Sequence, residues 1–528
     1  HRMTQPGARA GRNGIGDGLR RAVARNPKKD ALIFRDRTWS YEEMETAAFR
    51  IATHLRDAGL KKGDRVAAFA RNSDAYYLLW LACAQSGLIH VPANYGLTGP
   101  ELKYIVEQSG ARALVYDRAL KGSIDDMGPV EGLDFLSAFD GGDEIDVMAA
   151  ATGTFEPERE WDVTEDDYVQ ILYTSGTTGK PKGGLMKHRA LMAEFYSCIH
   201  ALEYVESDRC LWSLPLYHSG QIHTFSNPQM LVGSTCALLE QPKPEDVFRC
   251  IEQNRITSFF APPTVWVGLL RHPGFDQHDL SSLEKIYYGA SIMPEPILVE
   301  LRQRLNGARV FNCYGQSETG PLATVLKPEE HDGRLTSCGR PVLNVETRVV
   351  DEDDNDVPVG ETGEIVHRTP HVITEYWNRE DATDEAFKNG WFHTGDMGRF
   401  DEEGFLYVVD RVKDVINTGG VLVASREVED VLFTHEAVFE VAVVGLPDEK
   451  WLEAIAAMVV LKEGHAPTEA ELIAHAKKSL AHYKIPKRIV FVEDLPRNAS
   501  GKILKRELRR VHGGEETAVH TGARASAG

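Results

Sequence analysis

The sequence lacks the features that define several large classes of protein. None of its apolar runs reaches the eighteen or so residues of a membrane-spanning helix, and its beginning has no apolar core of the kind found in secretory signals. Its seven cysteines form no C-x-x-C pair and no cluster typical of metal ligands. Positive charge is in deficit as well, since the net charge is −20. This charge argues against nucleic acid or an anionic membrane surface as the main partner. These absences favour a reduced, cytoplasmic protein.

The composition and the order of segments predict an α/β fold. The 528 residues are too many for one compact core, and 42% hydrophobic with 26% charged residues is typical of globular proteins. Strand-like ALIF, RVAAFA, LIHVPA and ALVYD alternate with helix-like segments such as YEEMETAAFRIATHLRDAGL. This alternation predicts layers with largely parallel sheets, and a turn-rich region containing ETRVV and GEIVHR predicts antiparallel strands after them.

The character of the chain changes after FLYVVDRVKD. A smaller α+β unit follows, with strands FEVAVVGL, AIAAMVVL and RIVFVEDL and helices SREVEDVLFTH and EAELIAHAKKSL. We therefore predict a large N-terminal domain over 1–411, with two layered α/β sheets and a β subdomain, and a small mobile C-terminal domain over 412–512. The small, polar residues 513–528 predict a disordered tail.

The segment YTSGTTGKPKG at 173–183 predicts a phosphate-binding loop. Its glycines permit close backbone approach, and its hydroxyls and lysines supply donors and positive charge. The donors are Thr174, Ser175, Thr177, Thr178, Lys180 and Lys182. The spacing differs from G-x-x-x-x-G-K-[ST], which excludes a P-loop. A solvated surface turn is the alternative, but the strand-like DYVQILY before the loop favours a site.

The segment FNCYGQSETG at 311–320 brings together three functional side chains. Tyr314 has a ring that can stack on a purine, Ser317 a hydroxyl that can donate to a phosphate, and Glu318 a carboxylate that can hold Mg²⁺. An ordinary turn with a surface glutamate explains the same segment when it is taken alone.

Three further segments carry charge in glycine-rich or turn-rich surroundings. WFHTGDMGRF predicts a tight, glycine-bounded turn with Asp396 placed to accept ribose hydroxyls, and a plain Asx turn is the alternative. Arg411 and Lys413 in DRVKD are candidate nucleotide ligands or a solvated charge run. Lys502 in RNASGKILKREL follows a glycine turn and precedes a helix, where a lysine usually faces solvent.

Together these segments resemble the adenylate-forming superfamily of acyl-CoA synthetases, adenylation domains and luciferases. The segments that carry the resemblance are YTSGTTGKPKG, YYGASIMP, YGQSE, TGD, DRVKD and PRNASGKILKREL, in the order of the family. The resemblance spans about 17–510. Within the superfamily, HVPANYGLTGPELKYIVEQSGA, ASREVEDVLFTHEAV and GKILKREL look most like fatty and aromatic acyl-CoA synthetases.

The resemblance implies an enzyme that binds ATP and Mg²⁺ and acts in two steps. It would activate a hydrophobic carboxylic acid to an acyl-adenylate, release pyrophosphate, and pass the acyl group to CoA, as a monomer or homodimer. An amide ligase that passes the acyl group to an amine is the alternative, because fold kinship does not fix the acceptor. A non-catalytic nucleotide sensor is a third possibility, but it would be expected to lack Glu318 or Lys502.

The resemblance also implies the role of each residue in the first step. The residues implied for phosphate binding are Thr174, Ser175, Gly176, Thr177, Thr178, Gly179, Lys182 and Ser317, the last where the family usually has threonine. The residues implied for the adenine and the ribose are Gly289, Ala290, Ser291, Tyr314, Gly315, Asp396 and Arg411. Glu318 matches the Mg²⁺ ligand and Lys502 the lysine that bridges the attacking carboxylate and the α-phosphate; these two and Thr174 are the predicted catalytic residues.

For the second step, the resemblance implies rotation of the C-terminal domain about Lys413, which brings in the loop at Gly419 and Gly420. Here Val421 and Leu422 replace the GGEN ending of many relatives, which puts the CoA channel in doubt. Asn417 stands where many relatives have lysine, and Leu452 where many have glycine.

The acyl pocket is expected near LPLYHSGQIHTF. Tyr217 and His218 are the candidates for its entrance, and His223 for its wall. A core histidine satisfied by hydrogen bonds is an equal alternative for His223. These segments contain no obvious acidic residue, which disfavours a free amino acid as substrate.

The role implied for Lys502 gives a first prediction. Replacing it with alanine removes positive charge from the attack of a carboxylate on phosphate, and should cost roughly 2–4 kcal/mol in adenylation, the range found for such electrostatic groups. Pyrophosphate exchange measures this step, and an unchanged exchange rate would contradict the role.

Overall fold

The structure is a computed structural model that describes residues 7, 10–174, 180–291, 293–419, 421–498 and 501–513. Its internal contacts divide the chain into two units. The first consists of His1–Arg348 with Val366–His393, and the second of Val349–Ile365 with Thr394–Gly528. Among the described residues, no helix combines the length and the apolar character needed to cross a membrane.

The strands are numbered along the chain. The strands of the two large sheets are β1 Asp30–Phe34, β2 Arg37–Ser40, β3 Arg65–Phe69, β4 Ile89–Ala93, β5 Ala113–Tyr116, β6 Phe135–Ala138, β7 Tyr168–Thr174, β8 Lys182–Lys187, β9 Arg209–Trp212, β10 Thr235–Leu238, β11 Ser258–Phe260, β12 Lys285–Gly289, β13 Arg309–Gly315, β14 Leu322–Leu326 and β15 Arg340–Pro341. The later strands are β16 Glu346–Val350, β17 Gly363–Arg368, β18 Phe387–Lys388, β19 Trp391–Phe400, β20 Leu406–Arg411, β21 Ile416–Thr418, β22 Val421–Val423, β23 Val438–Asp448, β24 Leu452–Leu461 and β25 Arg488–Phe491.

The helices are numbered in the same way. They are α1 Ile15–Arg25, α2 Tyr41–Asp57, α3 Asp74–Ser86, α4 Gly99–Ser109, α5 Lys121–Met127, α6 Val147–Ala151, α7 His188–Ala201, α8 Asn227–Val232, α9 Pro244–Asn254, α10 Pro263–Arg271, α11 Glu295–Arg304, α12 Glu380–Ala386, α13 Ser425–Phe433, α14 Glu469–Lys477 and α15 Lys505–Gly513. A π-helical segment covers Gly220–Ser226, and short 3₁₀ turns cover Ser317–Thr319 and Val412–Asp414.

The first unit contains two sheets that are mostly parallel. A six-stranded sheet has the order β6-β5-β3-β4-β7-β8, and only β8 pairs antiparallel to its neighbour. A nine-stranded sheet has the order β15-β14-β13-β12-β11-β9-β10-β1-β2, in which the six strands from β13 to β1 are mutually parallel. Strands such as β4, β5 and β12 are buried along their whole length, as expected when helices cover both faces.

One hydrophobic core joins these layers. It contains Leu32 from the nine-stranded sheet, Val66 from the six-stranded sheet, and Trp80 from helix α3. Every residue of α3 is buried, because the helix is apolar all round. The sheets and the helices around them therefore form a fixed support, and the carboxyl ends of the parallel strands open at one edge of each sheet.

The second unit contains its own sheet and core. This sheet has the order β22-β21-β24-β23, with β25 pairing parallel to β24. Helices α13 and α14 contribute Val428 and Leu472 to a core that also holds Val459 of β24. The strands β16, β17 and β19 each have residues in both units.

The fold predicted from the sequence is confirmed. The predicted strands and helices occur, and two mixed α/β sheets precede a smaller α+β sheet. All seven cysteines are buried and none forms a disulfide. The boundary at 411–413 and the mobility of the small domain stay predictions, and residues 514–528 of the predicted tail lie outside the described residues.

Candidate active site

The parallel strands β12 and β13 end side by side at one edge of the nine-stranded sheet. Gly289 ends β12 and is in register with Cys313, while Gly315 ends β13. A methyl group added to Gly289 would lie 2.3 Å from the carbonyl oxygen of Cys313, and one added to Gly315 would lie 1.8 Å from that of Pro321. Only glycine fits at these two close approaches, so the segments that follow leave the sheet next to each other.

The residues after β12 are exposed at this edge. Ala290 has a φ of +69°, which is rare for a residue with a side chain, and both Ala290 and Ser291 are exposed. Such strained conformations are found at functional sites more often than elsewhere. The half-buried ring of Tyr314, on β13, has its centre 6.2 Å from that of the His367 ring.

The segment after β9 meets the segment after β13. The hydroxyl oxygens of Ser219 and Ser317 are 2.9 Å apart and share a hydrogen bond. The backbone N–H of Gly220 donates to Nδ1 of His218 over 3.1 Å, which fixes that ring, and Tyr217 packs edge-on against Tyr95. The structure thus brings the segment predicted for acyl binding next to the residue predicted to contact the α-phosphate.

His223 lies in the π-helical segment and is buried. Its Nε2 and the Oε1 of Gln170 are 2.6 Å apart, and the Nδ2 of Asn227 donates to its Nδ1 over 3.2 Å. Burial, reinforced by the nearby His90, lowers the pKa of His223 to about 3, so the imidazole is neutral. This environment matches the core histidine that the sequence left open as an alternative.

Strands β7 and β8 form the hairpin that carries the predicted phosphate loop. Thr174 ends β7 opposite Lys182, and its hydroxyl donates to the carbonyl of Lys182 over 3.4 Å. The Nζ of Lys180 lies 4.9 Å from the centre of the Tyr104 ring, and the Nζ of Lys182 lies 4.6 Å from that of the Tyr376 ring. The predicted ligands Ser175, Gly176, Thr177, Thr178 and Gly179 lie outside the described residues.

Glu318 is half-buried in the short turn after β13. Its Oε1 accepts a hydrogen bond of 2.8 Å from the hydroxyl of Tyr376, and its carbonyl accepts one from the N–H of Ile373. Burial, together with the charge of Glu318, raises the pKa of Tyr376, which therefore keeps its proton and donates. Glu318 and Lys182 thus meet at one tyrosine, which no sequence motif singled out.

In the second unit, Asp396 and Arg411 stand opposite each other on β19 and β20. The Nε of Arg411 lies 3.0 Å from Oδ1 of Asp396, with the aspartate buried and the arginine partly exposed. The predicted tight turn around Asp396 is wrong, because β19 continues through this position. Gly395 has a φ of +69°, its N–H donates to the side-chain Oε1 of Glu364 over 3.0 Å, and the next residue, Asp396, pairs with Arg411 of β20.

Lys413 lies in a cationic part of the second unit. More than a third of its surface is exposed, and its ammonium group is partly desolvated. This desolvation, together with neighbouring cations, lowers the pKa of Lys413 to about 8. The neighbouring cations are Arg411, Arg509 and Lys502.

Two hydrogen bonds tie the predicted catalytic lysine to Asn498. The N–H of Lys502 donates to the side-chain oxygen of Asn498 over 2.9 Å, and the N–H of Asn498 donates to the carbonyl of Lys502. The lysine is exposed. Gly419, with a φ of +62°, donates its N–H to the carbonyl of Trp451, whereas Gly420 lies outside the described residues.

The chain matches known proteins over most of its length. Residues 19–377 match the AMP-binding enzyme family, and residues 427–502 match the AMP-binding enzyme C-terminal domain. The chain is 34% identical over 501 residues to an indoleacetate–CoA ligase of Aromatoleum aromaticum, a match that covers 94% of this chain and 98% of that one.

Solved structures show the same fold. An o-succinylbenzoate CoA synthetase of Bacillus subtilis, in complex with its acyl-adenylate intermediate, has a TM-score of 0.83 and 33% identity over 94% of this chain and 99% of its own. An amide bond synthetase of Marinactinospora thermotolerans has a TM-score of 0.85 and 26% identity over 94% of this chain and 99% of its own. The fold and these matches define an adenylate-forming enzyme. The chain belongs to the AMP-binding enzyme family, and the predicted membership is confirmed.

The depressed pKa of Lys413 gives a prediction. Its ammonium loses its charge as the pH rises through about 8, so its acetylation by acetic anhydride should rise with a midpoint there. Because the folded pKa lies below the unfolded value, the free energy of unfolding should also increase from about pH 8 towards the ordinary pKa of lysine.

Peptide mapping after brief acetylation measures the midpoint, with an Arg509→Gln protein as the matched control. Loss of that neighbouring cation should move the midpoint upward. A midpoint at the ordinary value for lysine in both proteins would contradict the assignment.

Proposed function

We propose that this protein activates a hydrophobic carboxylic acid with ATP and transfers the acyl group to CoA. The observation that carries the proposal is that Lys182 and Glu318 both contact Tyr376, and that Ser317 directly precedes Glu318 after the end of β13. The chain is also related over nearly its whole length to a CoA ligase. A lysine, a carboxylate and a hydroxyl are the groups needed around a polyphosphate.

The first unit would bind both the phosphates and the adenine of ATP. The residues proposed for the β- and γ-phosphates are Thr174, Ser175, Gly176, Thr177, Thr178, Gly179 and Lys182. The residues proposed for the adenine are Gly289, Ala290, Ser291, Tyr314 and Gly315. The exposed, strained backbone at Ala290 supports this assignment, since an open edge beside an aromatic ring suits a flat base.

A magnesium ion fits the carboxylate of Glu318. No group of three or more His, Cys, Asp or Glu side chains that would hold a metal ion by themselves is found in the described part of the chain. Mg²⁺ usually takes only one or two carboxylates together with substrate phosphates, so Glu318 suffices. When bound, Mg²⁺ neutralises charge on the phosphate oxygens and on the leaving pyrophosphate.

The chain's own residues would lower the barrier by electrostatics. A carboxylate oxygen attacks the α-phosphorus, the bond from this phosphorus to the β-phosphate oxygen breaks, and pyrophosphate leaves. The hydroxyl of Ser317 would donate to the α-phosphate, and Lys502 would offset the repulsion between the two anions. Lys182 would hold the departing phosphates.

The residues proposed for the ribose are Asp396 and Arg411. Asp396 is buried opposite Arg411 and paired with it, so its carboxylate is fixed in direction. A fixed carboxylate can accept hydrogen bonds from both ribose hydroxyls.

A hydrophobic acid fits the segment proposed for acyl binding. Tyr217 and His218 are half-buried candidates for its entrance, and His223 for its wall as a neutral residue. The buried carboxyl of Glu194 accepts a hydrogen bond from the N–H of Leu322 over 3.3 Å, and also hydrogen-bonds Thr224 of this segment. Burial raises the pKa of Glu194 well above its ordinary value, which makes it a poor counter-charge for the ammonium of a free amino acid.

For the second step, the thiolate of CoA attacks the acyl carbon and AMP leaves. Lys413 would serve as the hinge and Gly419 with Gly420 as the loop that lines the path of the thiol. An amide ligase is the second candidate, because Leu452 stands where relatives that use CoA often have glycine. Leu452 has a φ of +66° and an exposed side chain, which is a strained conformation for leucine. We propose a monomer or a homodimer.

An exchange assay across a panel of acids tests the proposal. Pyrophosphate exchange into ATP should depend on a hydrophobic acid, with indole-3-acetate, benzoates and fatty acids as members of the panel and free amino acids as controls. Addition of CoA should then give a thioester, identified by its mass.

The outcomes separate the candidates. Exchange without a thioester, but with an amide when amines are added, would favour the amide ligase. ATP binding without exchange for any acid would contradict the enzyme.

A further inference from the structure

Tyr376 contacts both charged groups on which the proposed phosphate site depends. Its ring lies under the Nζ of Lys182 at 4.6 Å, and its hydroxyl donates to the Oε1 of Glu318 over 2.8 Å. Tyr376 is 4% exposed, whereas Lys182 and Glu318 are half-buried, so the tyrosine side of both contacts is shielded from bulk water.

The backbone around Tyr376 is fixed to the same hairpin. The N–H of Trp377 donates to the carbonyl of Gly183 over 2.7 Å, and Tyr376 itself forms an antiparallel bridge with Gly184. The N–H of Tyr376 donates to the hydroxyl of Thr383 in helix α12 over 3.0 Å. The ring is therefore held on a rigid support and does not depend on its own two contacts for its position.

We propose that Tyr376 is a positioning residue for the metal-bound polyphosphate: its ring holds Lys182 and its hydroxyl orients Glu318. The inference rests on the proposed function, in which Glu318 binds Mg²⁺ and Lys182 binds the phosphates. Tyr376 touches neither the reacting atoms nor the substrate, and acts through these two side chains.

The chemistry of each contact suits this task. An aromatic face attracts an ammonium without neutralising it, so the full charge of Lys182 stays available for phosphate. A hydroxyl bound to one carboxylate oxygen fixes the plane of the carboxylate and leaves the second oxygen of Glu318 for a metal. Outer partners of metal ligands typically change metal affinity or activity by about 10- to 100-fold when they are lost.

The two contacts predict different defects in two variants. Tyr376→Phe keeps the ring and loses the hydroxyl, so the Mg²⁺ concentration for half-maximal enhancement of ATP binding should rise about 10- to 100-fold, with metal-free ATP affinity unchanged. Tyr376→Leu loses both contacts, and should also weaken metal-free binding of ATP because Lys182 is no longer held.

Calorimetric titration with ATP at a series of Mg²⁺ concentrations, and without any acid, involves no turnover. It measures the metal-free affinity for ATP and the Mg²⁺ concentration for half-maximal enhancement. Tyr196→Phe is the matched control, because its exposed hydroxyl bonds Asn13 on the surface. That control should behave like the wild type. Thr383→Val removes the hydroxyl that accepts from the Tyr376 N–H, and should lose part of the gain in ATP affinity that Mg²⁺ gives. This variant decides the test if Tyr376→Phe does not fold.

The results distinguish two kinds of failure. Wild-type protein whose ATP binding gains nothing from Mg²⁺ would contradict the proposed function itself. A wild-type gain that persists unchanged in Tyr376→Phe, or in Thr383→Val where that variant decides, would overturn the role of Tyr376. An equal loss of metal-free and metal-bound affinity in Tyr376→Phe would also overturn it, since that pattern indicates general disruption.

Discussion

The site depends on the close parallel pairing of β12 with β13, which places two chain segments at one edge of the nine-stranded sheet. Both strands end on glycines, and a methyl group at Gly289 or Gly315 would overlap a backbone carbonyl. Because neither glycine places a side chain between the strands, the segments that contain Ala290 and Ser317 begin next to each other at the edge of the sheet. A larger residue at either glycine would force these strands apart, and would separate the segment proposed for the adenine from the one proposed for the α-phosphate.

The proposed reaction joins two anions within a chain whose net charge is −20, so positive charge has to be supplied locally. Two lysines of the phosphate hairpin lie on aromatic faces, Lys180 on Tyr104 and Lys182 on Tyr376. An aromatic ring orders an ammonium group and leaves its charge intact. The ring of Tyr376 also carries a hydroxyl that bonds Glu318, so one side chain orders a cation and an anion for the same ligand.

The sequence predicted the fold well, because its strands are continuous apolar runs separated by amphipathic helices, a pattern that local physics determines. It predicted the site segments through six motifs, but not the contacts between them. The tight turn expected at Asp396 is a strand, because Asp396 pairs with Arg411 of the neighbouring strand β20. The environment of His223 depends on Gln170, which is 53 positions away in the sequence. The role of Tyr376 depends on Glu318, which is 58 positions away. Such tertiary contacts leave no periodic signal in a single sequence.

Activation of the acid as an acyl-adenylate is tested most directly by an isotope transfer. The acid is supplied with ¹⁸O in its carboxylate, together with ATP, Mg²⁺ and CoA, and the products are examined by mass spectrometry. AMP should carry one labelled oxygen from the acid, because the carboxylate oxygen attacks the α-phosphorus and stays with AMP when the thiol displaces it. Product formed with unlabelled AMP, or with the label in inorganic phosphate, would contradict an acyl-adenylate intermediate.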